Sequence, residues 1–149
     1  MWIFWLINNG LGEELILKET WESKPNVYIC KDSTSITKEK VKEAFDFWIN
    51  EHQIPFHYKS ISYLNDCTDK YYDSIYITGE WTITGSRLAN TKLMTYYYEK
   101  DPNTHYIDFA MIQIPNSYQD NQTILLHEIG HALGLKHSNH SIMKQYHHF

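Results

Sequence analysis

Long apolar runs are missing from this chain of 149 residues. The longest near its start, Trp2 to Ile7, is too short for the core of a signal peptide and far too short to span a bilayer. No basic residue precedes it and no small-residue cleavage pattern follows, so it reads as a first strand or a staple on the core. Positive charge is also in short supply. With 13 basic against 18 acidic residues the net charge is −5, which repels phosphates and argues against a nucleic-acid partner. Glycine and proline contribute six and four residues, and 42% of the chain is apolar, so disorder is excluded. Repeats, low-complexity tracts and Gly/Ser linkers are absent from the sequence, so residues 1–149 are expected to form a single domain, with 1–24 as an N-terminal extension. The two cysteines, Cys30 and Cys67, lack Cys-x-x-Cys pairing. One disulfide or two buried thiols are equally open, and neither assigns a compartment.

What is present reads as alternating strands and helices. Val27 to Cys30 is β-branched and aromatic and runs into the turn residues Lys31-Asp32-Ser33. Thr37 is a candidate cap for a helix whose apolar stripe is Val41, Ala44, Phe45, Trp48 and Ile49, and Pro55 stops it. Strands are expected over Phe56 to Ile61, Ser74 to Thr78, Arg87 to Tyr98 and His105 to Ile114, with turns at Gly85 and Asp101-Pro102. A second helix is expected from a cap at Asp120 to Leu133, carrying Leu125, Ile129, Ala132 and Leu133 inward, with Gly134 as its breaker. The order implies an α+β fold with α/β-type layers, a twisted sheet with two packed helices.

The chemistry sits at residues 127 to 137, His-Glu-Ile-Gly-His-Ala-Leu-Gly-Leu-Lys-His. Helical positions four apart lie about 40° from each other and about 6 Å along the axis, so His127 and His131 can reach one ion. Glu128 then stands beside that ion without binding it. His137 can join only if the helix ends, and Gly134 supplies the left-handed residue that turns the chain back. Three neutral nitrogens with an open fourth place describe a catalytic rather than a structural zinc site. Shuffled copies of this composition match all five fixed positions about once in ten thousand.

The run resembles the metzincin zinc peptidases, and most closely a minimal matrixin-like catalytic domain. Ser138 follows the third histidine as in many matrixins, and Ser141-Ile142-Met143 looks like the Met-turn. Ala44-Phe45-x-x-Trp48, Ile54-Pro55-Phe56 and Asp73 to Ile77 are similar to the first matrixin helix and the two strands after it. The resemblance implies a mostly parallel sheet with one antiparallel edge strand, Gly85 to Tyr97, along which an extended peptide would add. Tyr146 stands three residues after Met143, one later than the tyrosine of astacin-like and serralysin-like relatives. The sequence holds no Pro-Arg-Cys-Gly switch, and it ends soon after the Met-turn. Matrixins often carry structural zinc and calcium, but no His-x-Asp loop of that type occurs here. His52, His57, His105, His140, His147 and His148 are therefore expected at the surface, and structural calcium is left open. Tyr96-Tyr97-Tyr98 is expected to divide between strand contacts and solvent.

The implied function is a zinc-dependent endopeptidase with one catalytic ion on His127, His131 and His137, Glu128 as general base and Met143 in the Met-turn. A monomer acting on a peptide or protein is expected, with no nucleic acid and no membrane span; a secreted location stays open. The alternative is a catalytically silent zinc-binding or peptide-binding module.

Overall fold

The computed structural model describes residues 14–68, 72–79 and 89–145, and the backbone of 5–8. Its main sheet is built on β4 (Asn26–Cys30), with β5 (Ile61–Leu64) on one side and β6 (Ser74–Thr78) on the other, both parallel. Next comes β8 (Asp101–Gln113), parallel to β6, and then β7 (Asn90–Tyr98), antiparallel to β8 and at the sheet's edge among the described residues. The short β3 (Thr20–Trp21) runs parallel to β8 where β6 has not yet begun. A smaller antiparallel sheet joins β1 (Trp5–Asn8), β2 (Glu14–Leu17) and β9 (Leu135–Lys136). This is the expected α+β arrangement of a mostly parallel sheet with one antiparallel edge strand and two helices.

Strand alternation sorts the side chains between two faces. Val27, Ile29, Ile75, Ile77, Ala110 and Ile112 point toward the helices, whereas Tyr28, Tyr76, Phe109 and Met111 form a second cluster on the other face. The cysteines resolve as a disulfide, Cys30–Cys67, tying the end of β4 to the loop after β5.

Helix α1 (Lys38–Asp46) starts as expected, with Thr37 Oγ1 accepting from the Lys40 amide, and buries Val41, Ala44 and Phe45. It then widens into a π-helical turn, Phe47–Glu51, which brings Trp48 into full burial. The Trp48 indole N–H donates to the Leu126 carbonyl at 2.9 Å, linking this turn to the second helix.

That helix, α2 (Gln122–Ala132), corrects the expected cap. Asn121, in an extended conformation, accepts from the Ile124 amide, while the Asp120 side chain is wholly exposed. Phe56 to Ser60 is likewise not a strand. Phe56 stacks on Phe45 and meets Trp21 edge-on, so its periodicity reflects core contacts, and ladder bonding begins where the Val27 amide donates to the Ser60 carbonyl. The hairpin turn is Glu99-Lys100 rather than Asp101-Pro102. Asp101 already pairs with Tyr98, and Pro102 sits in the irregular, exposed end of the ladder, where a missing amide hydrogen is tolerated. Gly85 to Leu88, part of the expected edge strand, lie outside the described residues.

The disulfide closes a separation of 37 residues. Replacing Cys30 and Cys67 together by serine is expected to lower unfolding stability by about 2–4 kcal/mol. Urea denaturation checks this, and an unchanged midpoint would mean that the bridge contributes nothing in solution.

Candidate metal centre

Helix α2 is apolar on most of its circumference, because the sheet lies on one side and the Trp48 turn on another. His127, Glu128 and Gly130 are buried within it. At its end the Trp21 indole N–H donates to the Ala132 carbonyl at 2.8 Å, satisfying one of the acceptors that a helix leaves open. Gly134 then turns the chain at φ +104°. A side chain there would place Cβ 1.9 Å from the Glu19 carbonyl oxygen, so both conformation and close approach demand glycine. The Lys18 amide donates to the Gly134 carbonyl, and β9 pairs with β2, so residues before β4 clamp the returning loop.

The three histidines converge. One ring nitrogen from each of His127, His131 and His137 lies within 4.8 Å of the others. His127 Nδ1 lies 2.6 Å from the Ile142 carbonyl oxygen, and His131 Nδ1 lies 2.8 Å from that of Leu135. A carbonyl oxygen only accepts, so both Nδ1 atoms carry the proton and both Nε2 atoms present lone pairs. Those two Nε2 atoms face each other at 3.1 Å. A proton is a poor remedy, because burial lowers the His127 pKa to about 4 and also lowers that of His131. For His137, on the exposed loop, burial is again the main lowering cause, followed by His131. A shared cation relieves the opposed lone pairs, and nitrogens about 3.4 Å apart are what a tetrahedral ion with ~2.1 Å bonds would require. The donor set thus fits zinc.

Glu128 is 1% exposed, and the Thr91 hydroxyl of β7 donates to its Oε1 at 2.8 Å. Met143 is fully buried with its sulfur against Gly130, where an added Cβ would approach Sδ to 2.5 Å. The Ser138 amide donates to the Met143 carbonyl at 3.1 Å, folding the loop back under the helix. The histidines and Glu128 open into a cleft of about 490 Å³, flanked by Ala89, Thr91 and Leu93 near the start of β7.

A family profile described as Matrixin matches residues 20–149. The chain belongs to the matrixins. These are zinc metallopeptidases, the class in which the histidine triad of this chain belongs. None of the curated proteins matches it. Among the described residues, no helix of this matrixin is long and apolar enough to cross a membrane.

His140 departs from the surface expectation. It is 2% exposed, its Nδ1 accepts from the Ile142 amide at 3.1 Å, and its ring lies against Trp48 and His52, itself half-buried. The π-helical turn that presents Trp48 created this contact, which the local sequence does not signal. His57 is exposed and His105 is half-buried against Tyr97. Tyr97 and Tyr98 are exposed and Tyr96 is half-buried on Tyr106. Tyr146, His147 and His148 lie outside the described residues. Thr91 was not legible as a site residue, since it lies 37 positions from Glu128 and only strand pairing brings it there.

Two outcomes are expected from metal analysis of the purified, zinc-supplemented protein. The parent should hold one zinc per chain and His131→Ala almost none. Gly134→Ala should lower both zinc affinity and melting temperature, because it displaces the loop that carries His137; parental values for both would contradict this account of the turn.

Proposed function

We propose that this matrixin is a zinc-dependent endopeptidase in which His127, His131 and His137 hold one zinc ion and Glu128 is the general base. The observation that carries the reading is the pair of Nε2 lone pairs opposed at 3.1 Å, with a buried carboxylate on the adjacent residue. Three protein nitrogens leave the ion a place open to substrate or water. Zinc, when bound, supplies a Lewis acid that polarises a peptide carbonyl and makes water more acidic.

The protein's own groups do the rest. The Glu128 carboxylate accepts a proton from water as its oxygen adds to the carbonyl carbon. It then delivers that proton to the amide nitrogen, so the C–N bond breaks and a neutral amine leaves. The outer edge of β7 offers extended backbone to a peptide, with Ala89 and Leu93 as apolar neighbours in the cleft. Met143 acts as the Met-turn residue, a compliant apolar support under α2. Residues 1–149 would act as one catalytic domain and as a monomer on peptide or protein. The Cys30–Cys67 disulfide supports an oxidising setting such as the secretory route or the cell exterior.

A quenched fluorogenic peptide library, read with and without chelator, tests the reading. Cleavage abolished by chelator and restored by zinc is expected. Glu128→Ala should keep its zinc and lose about 10²–10⁴-fold in kcat. Absence of chelator-sensitive cleavage would favour a silent binding module, and undiminished turnover by Glu128→Ala would remove that residue from the mechanism.

A further inference from the structure

A glutamate has three side-chain torsions, and one that moves a proton must hold its carboxylate still against the water it serves. In this chain the holding group comes from the strand at the cleft. Thr91 pairs with Ile112 of β8, a fully buried residue on the helix face of the sheet, so Thr91 shares that face. Its hydroxyl has two acceptors on a single residue: Glu128 Oε1 at 2.8 Å and the Glu128 main-chain oxygen at 3.0 Å. With one proton to give, the hydroxyl ties the nearer acceptor, Oε1, to β7 across the gap between β7 and α2, with the main-chain oxygen within reach.

We propose that Thr91 is a positioning residue for peptide hydrolysis: its hydroxyl fixes Glu128 through Oε1 and ties the base to the strand along which the peptide lies. The proposal rests on the reading of Glu128 as general base. When Glu128 is ionised, the hydroxyl proton lies on Oε1. A proton taken up on Oε2 leaves Oε1 an acceptor, so the Thr91 hydroxyl keeps its proton on Oε1 in that state as well. Thr91 gains and loses no proton in either step. Because Oε1 is held throughout, Oε2 is the oxygen that takes the proton from water and passes it to the leaving amine. Peptide and base are also brought into register, since a substrate added to β7 and the carboxylate held from β7 are referred to the same strand.

The test uses a fluorogenic peptide that the parent enzyme cleaves, with zinc content measured for each variant. Thr91→Val keeps the shape and removes the hydroxyl. It should lower kcat about 10- to 100-fold, with KM within about threefold and zinc unchanged. Thr91→Ser, which restores the hydroxyl, should return kcat to within about threefold of the parent. Should Thr91→Val fold poorly, Thr91→Ala is judged by the same criteria. Parental kcat in the valine variant overturns the proposal, as does an effect confined to KM. Equal impairment of the serine and valine variants also overturns it, because shape rather than the hydroxyl would then matter. Glu128→Gln separates the two levels. If it is inactive while Thr91→Val is unimpaired, the brace alone fails; if it is active, the base assignment fails and the brace with it.

Discussion

Two neutral imidazoles aimed at each other are an unfavourable arrangement, and most of the architecture around α2 exists to hold them so. Each Nδ1 is bound to a backbone carbonyl, Ile142 for His127 and Leu135 for His131, which leaves a lone pair on each Nε2. Burial disfavours a proton at either ring. What remains is a pair of nitrogen donors that suits a cation, as outer hydrogen bonds orient ligand histidines in metal sites generally. Both carbonyls belong to the segment that follows the helix, Leu135 in β9 and Ile142 beyond it. The segment that brings His137 toward the other two therefore also sets their tautomers, and the site is a property of helix and loop together.

Holding that loop against the helix requires parts from the whole chain. Gly134 makes the reversal, and Glu19 lies so close that nothing larger fits. The β2 strand pairs with β9 from one side, and Met143 fills the space against Gly130 from another. Trp21 and Trp48 each spend their indole N–H on a carbonyl of α2, at Ala132 and Leu126. These bonds fix the helix at both the sheet and the π-helical turn, so the histidines are mounted on a body with little freedom. On the open side stands β7, an edge strand whose Thr91 touches Glu128. The proposed peptide-binding strand and the proposed base are thus mechanically adjacent.

Where periodicity was read within one element it described the structure well, as for the stripe of α1 and the bounds of β6, though β6 is buried on both faces rather than alternately. It failed where two causes give one pattern. Phe56 to Ser60 alternates because Phe56 and Tyr58 both pack against Phe45, the first stacked and the second tilted, and no ladder is involved. Capping failed by one residue because Asp120 and Asn121 offer similar side chains; only backbone conformation chose between them. His140 was placed at the surface because histidine usually is, yet the widening of α1 brought Trp48 over it.

The spacing of His127, Glu128, His131, Gly134 and His137 was enough by itself to place two histidines on one helical face, to require a break, and to predict which residue makes it. Helix geometry is local and repeats every 3.6 residues, so such relations survive without knowledge of the remaining chain. Pairings across long separations have no such local rule. That Cys30 meets Cys67, that Leu17 lies beside Leu135, and that Thr91 reaches Glu128 follow from strand order and register. Those were decided by which apolar faces could be buried together, a choice made by the folded whole.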